Sequence, residues 1–208
     1  MLDRKDQNRS GPSFNRRDFL KGSGAAVAAT AMATSQELAA NQKENKSKIT
    51  SADPTAITLN VNGKDYEVTV EPRVTLLEVL RNDLNFTGCK EVDDRSADGA
   101  DTVLVDGKAT LAGSRLAIEC IGKKIKTVES LRDGDKADPV IEGFIKHDGM
   151  QCGFCTPGFV MATRAFLNEH PQASLEEIRK GLGGNICRCG TYAGITACAL
   201  ELAQKGGA

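Results

Sequence analysis

Two short stretches, QCGFCTPG at residues 151–158 and GNICRCGTY at 184–192, hold Cys152, Cys155, Cys187 and Cys189, four of the seven cysteines of this 208-residue chain. A C-x2-C pair at the start of a helix sets both sulfurs on one side of the first turn. Pro157 suits that turn because it has no amide hydrogen to leave unsatisfied. A C-x-C pair does the same on an extended segment, where residues two apart point the same way. Two such pairs can close on one object. Gly153, Gly184 and Gly190 leave the backbone free to approach it and to donate amide hydrogen bonds to its sulfurs.

Three objects compete for the quartet. A [2Fe-2S] core takes four thiolates and carries net negative charge, which amides at a helix N-terminus stabilise. Zinc also takes four thiolates, but C-x-C is an unusual half-site for it. Disulfides suit an oxidising compartment, although adjacent glycine-rich pairs are better built for approach to an object than to each other. Arg188 lies between two of the sulfurs, either as a countercharge or as a solvated or partner-facing side chain.

The first 33 residues read as an address. NRRDFLKGSGAAVAATAMA places Arg16-Arg17 before Phe19, Leu20 and Lys21, then a weakly apolar alanine- and glycine-rich run ending in Ala31-Met32-Ala33. This is the pattern of a twin-arginine export signal with cleavage after Ala33. That route carries folded proteins, so a cofactor inserted in the cytoplasm would survive export to the periplasm and would not need disulfides. Residues 1–21 hold six Lys and Arg against three Asp and Glu, of totals of 27 and 28, so cleavage leaves 21 against 25. Such a mildly acidic chain has no field for nucleic acid. Nor does any apolar run approach the roughly 20 residues needed to span a bilayer.

Residues 34–53 are polar and aperiodic and read as a flexible tether. From AITLNVNGKDYEVTV onward the pattern alternates with period two, turning at Asn62-Gly63. VTLLEVLRNDL places Leu76, Leu77, Val79 and Leu80 on one helical face, with Thr75 as cap. DTVLVDGKATL reads as a second hairpin about Asp106-Gly107, and KKIKTVESL as a closing strand. A mixed sheet on one helix is the economical arrangement. After Asp138, four segments with helical spacing follow, punctuated by Pro139, Pro157, Pro171 and Gly181.

The run GMQCGFCTPGFVMA followed by GNICRCGTY resembles the small iron-sulfur subunit of the molybdenum hydroxylases, the xanthine dehydrogenase and aldehyde oxidoreductase family, over about residues 57–203. The resemblance implies an α+β chain, with a β-grasp ferredoxin-like domain at 54–132 and a four-helix [2Fe-2S]-binding domain at 138–205. It implies that Cys152, Cys155, Cys187 and Cys189 ligate one [2Fe-2S] cluster beside the molybdopterin of a separate large subunit. It also implies that Gln151 hydrogen-bonds the pterin; taken alone, this glutamine could merely cap a helix.

The ferredoxin half of that family carries a second cluster on C-x4-C-x2-C, with a fourth cysteine in the next hairpin. In VDDRSADGADTVLVDG those three positions are Asp93, Asp98 and Asp101, and the fourth falls near Gly113. Hard oxygens do not hold a soft iron-sulfide core. Cys89, Cys120 and Cys198 stand off the ligand spacing and read as small buried hydrophobes. The loop is then either a divalent-cation site on Asp93, Asp94, Asp98 and Asp101 or, as adopted here, an empty solvated remnant, with the β half serving as a docking surface.

The expectation is an exported electron-transfer subunit with one [2Fe-2S] cluster. It would take electrons from a large molybdopterin-binding subunit that hydroxylates an aldehyde or heterocycle. A cytochrome, a membrane quinone pool and a flavin subunit all remain open as acceptors. The chain offers no nucleophile, no paired catalytic carboxylates and no phosphate-cradling loop, and His147 and His170 read as isolated surface or capping residues. A non-conducting assembly subunit and a zinc-binding adaptor are the rival readings.

Overall fold

The structure, a computed structural model, describes residues 51–207. The expected signal peptide at 1–33, and all but the end of the expected tether at 34–53, lie outside the described residues.

Strands β1 (Thr55–Val61) and β2 (Lys64–Val70) form an antiparallel hairpin turning at Asn62 and Gly63, and β3 (Thr102–Val105) and β4 (Lys108–Leu111) form a second one about Asp106-Gly107. All four turn residues take positive φ, as in the tight turns whose twist matches that of the flanking strands. Strand β5 (Lys124–Lys126) lies between the hairpins, parallel to β1 and antiparallel to β3, giving a mixed sheet in the order β2-β1-β5-β3-β4. The closing strand is shorter than its sequence pattern suggests. Buried Thr127 donates its amide to Asn62 Oδ1 (2.9 Å), and Asn62 Nδ2 donates to its hydroxyl (2.9 Å). With that N–H taken by a side chain the ladder stops, and Val128–Leu131 coils into a 3-10 turn. It leads into a small hairpin, β6 (Arg132–Asp133) with β7 (Lys136–Ala137).

Helix α1 (Leu76–Glu78) starts with a reciprocal cap. The Thr75 hydroxyl accepts from the Glu78 amide (3.2 Å), and Glu78 Oε2 accepts from the Thr75 amide (2.8 Å). The helix runs on into a wider turn over Val79–Asp83, closed by the Leu84 amide on the Val79 carbonyl (3.0 Å). Leu76, Leu77, Val79 and Leu80 are all buried against Ile57, Leu59 and Val61 of β1 and Ile125 of β5.

Four further helices follow where helical spacing indicated: α2 (Pro139–Lys146), α3 (Thr156–Glu169), α4 (Leu175–Gly181) and α5 (Tyr192–Gln204). Their shared core includes Val140, Phe144, Phe159, Ile178, Ile195, Cys198 and Leu202. The sheet rests on more than the one expected helix. Alternation along β3 sends Val103 and Val105 into the α1 core, while Leu104 packs against Met161 and Ala165 of α3. All four residues of β3 are therefore buried, as in a strand covered on both faces.

The cysteine-bearing segment before α5 is latched to the sheet half by polar contacts. Buried Asn185 donates from Nδ2 to the Gly99 carbonyl (2.7 Å) and to Thr102 Oγ1 (3.2 Å), and the Ile186 amide donates to the Asp98 carbonyl (2.8 Å). Beside the latch, a methyl group on Gly158 of α3 would press into Gly99 and Ala100, so the helix approaches that loop as closely as only glycine permits.

Two predictions follow from this packing. Asn185→Leu leaves buried polar groups without their partner, so the free energy of unfolding should fall by about 1–3 kcal/mol, read from urea denaturation; an unchanged midpoint would remove the latch from the fold. The second concerns Glu201 on α5, which accepts from Lys146 Nζ (2.7 Å), Lys205 Nζ (2.7 Å) and His147 Nε2 (2.5 Å). Those donors hold its carboxyl well below the usual carboxylate range. The folded chain then binds this proton more weakly than the unfolded chain. The stabilisation is complete above the unfolded value near about pH 4.3 and drains away as the pH falls below it. Denaturation at neutral and acidic pH should show a shallower acid loss in Glu201→Gln than in the wild type.

Candidate metal centre

Cys155 immediately precedes α3 and Thr191 immediately precedes α5, so the four cysteines gather where helices of 14 and 13 residues begin. The other described α-helices are closed by side chains: Thr75 on α1, Asp138 on α2 and Ser174 on α4. Neither Cys155 nor Thr191 caps its helix. The first-turn amides of α3 and α5 therefore lack a side-chain acceptor at a place where they would stabilise an anion.

The thiols stand as two pairs. Cys152 stands beside Cys189 and Cys155 beside Cys187, and in each pair one thiol is lowered and the other raised. The Phe154 amide, and then the Cys189 thiol, lower Cys152. Cys189 moves up: the Cys152 amide works to lower it but is outweighed by the bond its thiol gives to Cys152 and by burial. Burial works to raise Cys187, but the hydroxyl and amide of Thr191, the Cys155 thiol and the Gly190 amide carry it down to about 7. Burial, with the bond to Cys187, pushes Cys155 up to about 12. The amides of Cys152, Phe154, Gly190 and Thr191 thus all act to lower a neighbouring thiol, and Gly190 takes a φ of 82°.

This donor set fits a [2Fe-2S] cluster. Each iron of such a core takes two thiolates, and the sulfurs come as two pairs ringed by amide donors that offset negative charge. All seven cysteines are free thiols.

The site has an inside and an outside. Cys187 is buried and Cys155 half-buried, whereas Cys152 and Cys189 are exposed. Met150, Phe154, Ile186 and Tyr192, close to them in sequence, are exposed, as are Gln151 and Arg188 next to the outer pair. Tyr192 also works inward: its hydroxyl accepts from the Cys187 amide (2.8 Å), and its ring meets Phe159 edge-on.

The aspartate loop is only partly the solvated remnant expected: Asp94, Arg95 and Ala97 are exposed and Asp93 and Asp98 half-buried, but Ser96, Gly99, Ala100 and Asp101 are buried. Asp93 Oδ1 accepts from the amides of Arg95 (2.7 Å) and Ala97 (3.2 Å), Asp98 Oδ1 from Ala100 (2.7 Å), and Asp101 Oδ2 from Gly113 (2.6 Å). The contact between Asp101 and Gly113 brings together the third and fourth ferredoxin positions. Ser96 Oγ lies where a side chain on Gly113 would have to go. Asp101 Oδ1 is buried with no hydrogen-bond partner. Backbone amides hold Asp93 below the usual carboxylate range, and burial raises Asp98.

Cys89, Cys120 and Cys198 are buried, as read from the sequence. His147 and His170 end α2 and α3; His147 is not isolated, since it joins the Glu201 network, and His170 packs on Phe166. Asn185, Thr191 and Tyr192 escaped the sequence reading. The only signal was their position beside the C-x-C pair, because a polar residue that serves a neighbour's sulfur or carbonyl has no periodicity of its own.

Comparison with known proteins agrees with this geometry. Residues 127–200 match the family described as "[2Fe-2S] binding domain", and residues 13–33 match the "TAT (twin-arginine translocation) pathway signal sequence". The aldehyde oxidoreductase iron-sulfur-binding subunit PaoA of Escherichia coli (strain K12) is 37% identical over 212 residues, covering 93% of this chain and 90% of that protein. The nicotine 6-hydroxylase small subunit of Paenarthrobacter nicotinovorans is 40% identical over 150 residues, covering 72% of this chain and 90% of the relative. In the crystal structure of quinoline 2-oxidoreductase from Pseudomonas putida 86, a chain 34% identical superposes with a TM-score of 0.69, covering 74% of this chain and 99% of that one. Paired thiols, uncapped helix starts and these relatives lead to one conclusion: the chain belongs to the iron-sulfur subunits of the molybdenum hydroxylase family.

Proposed function

We propose that this chain is the electron-transfer subunit of an exported molybdenum-dependent oxidoreductase acting on an aldehyde or heterocycle. In this reading Cys152, Cys155, Cys187 and Cys189 hold its one [2Fe-2S] cluster. The observation that carries the proposal is the gathering of four cysteines where two helices begin without side-chain caps. When bound, such a cluster takes up and releases one electron at a time. The chain's own residues supply the rest. Cys155 and Cys187 anchor the inner edge, the surrounding amides offset the negative charge, and Phe159 with the Tyr192 ring excludes water behind it.

The outer edge, with exposed Met150, Phe154, Ile186 and Tyr192 around Cys152 and Cys189, is the face for the large molybdopterin-binding subunit; Gln151 presents its amide there to the pterin. Residues 54–132 form a β-grasp ferredoxin-like domain without a cluster, and residues 138–205 a four-helix cluster domain. The strand order β2-β1-β5-β3-β4 and the succession of α2 to α5 support that division. Residues 1–33 would send the folded, loaded subunit through the twin-arginine machinery to the periplasm, taking an unsignalled partner with it, and 34–53 serve as tether. A flavin subunit or a cytochrome receives the electron.

Counting iron, sulfide and molybdenum in the intact complex, with an EPR spin count, tests the reading. One reducible [2Fe-2S] signal from this chain is the expected result. Zinc without sulfide would make the chain an adaptor, and a chain with no reducible centre would be an assembly subunit. Cys155→Ser should abolish the visible iron-sulfur absorption, whereas Asp98→Ala should leave it intact. Equal bleaching by both would misplace the cofactor.

A further inference from the structure

Thr191 Oγ1 lies 3.1 Å from Cys187 Sγ. Threonine at the residue before a helix ordinarily turns its hydroxyl onto an amide of the first turn, and for that it needs an extended backbone. Thr75, Asp138 and Ser174 have that conformation, with ψ of 157°, 143° and 164°, and each caps its helix. Thr191 has φ −74° and ψ 13° and makes no capping bond. Its backbone turns the hydroxyl away from the helix it precedes and toward the sulfur. Among the described residues, Oγ1 makes no other hydrogen bond than this one.

The direction of the bond follows from what the sulfur carries. Between two free side chains either atom can donate, but a thiolate bound to iron has no proton, so the hydroxyl must be the donor. We infer that Thr191 donates a hydrogen bond to Cys187 Sγ and thereby raises the reduction potential of the cluster, acting as a positioning residue on the ligand sulfur and not as a helix cap. The inference rests on the cluster reading above. A donor at a ligand sulfur favours the state with more negative charge, here the one gained by adding one electron, with no bond broken and no proton transferred. Cys187 is buried, so water does not replace the bond if it is lost.

The test is an EPR-monitored redox titration of the full-length chain in its complex, for the wild type and for Thr191→Val, Thr191→Ala and Thr191→Ser. Valine keeps the shape and removes the donor, so the midpoint potential should move to a more negative value while the thermal midpoint stays put. Alanine should shift the potential in the same direction, and serine should restore it. A wild-type potential in Thr191→Val, or a fall in thermal stability with no change in potential, would overturn the inference and return Thr191 to capping. Loss of the cluster in both Val and Ala variants, with retention in Ser, would also overturn it, since the hydroxyl would then hold the cluster and not tune it. A wild type with no [2Fe-2S] signal would defeat the cluster reading instead, a result distinct from either.

Discussion

Four thiolates gathered in one place repel one another, and that repulsion is the constraint around which the molecule is arranged. An isolated cysteine gives up its proton only near pH 8.5, and each charge added nearby makes the next harder to form. The chain meets this with backbone dipoles rather than with cationic side chains. Helices α3 and α5 both begin at the cysteines, and neither end is closed by a side chain. The one nearby cation in sequence, Arg188, stays exposed. Fixed amides suit this role better than a mobile guanidinium, because they need no reorganisation when the charge changes.

The sheet half is where the opposite choice was made. At its three ferredoxin positions carboxylates replace thiols, and they accept from local amides much as sulfurs do. Asp101 shows the remaining tension: one oxygen is bonded to Gly113, and the other is buried without a partner. A buried, unsatisfied carboxylate oxygen is costly, and Asp101 is where the loop bears that cost.

Much of this was legible in the sequence because it depends on local rules. Asn62-Gly63 and Asp106-Gly107 announce their hairpins, Thr75 announces its helix cap, and C-x2-C before Thr156-Pro157 marks a helix start with two sulfurs on one side. What escaped depends on contacts between distant segments. The end of β5 is decided by an asparagine 65 residues earlier. The burial of the aspartate loop follows from Asn185, 86 residues beyond Gly99. An acidic loop reads as solvated on composition alone, and only the approach of α3 at Gly158 shows that its Gly99-Ala100 end is enclosed. The covering of β3 on both faces was written in the run TVLV, but such a run does not say which helix provides the second cover.

That second cover makes the two halves depend on each other for their packing. Here Leu104 is the floor on which Met161 and Ala165 stand, and the Gly99 carbonyl is the peg that holds Asn185. Excising the sheet half would strip the wall from the helix that presents Cys155. The sheet thus serves the helical half as masonry.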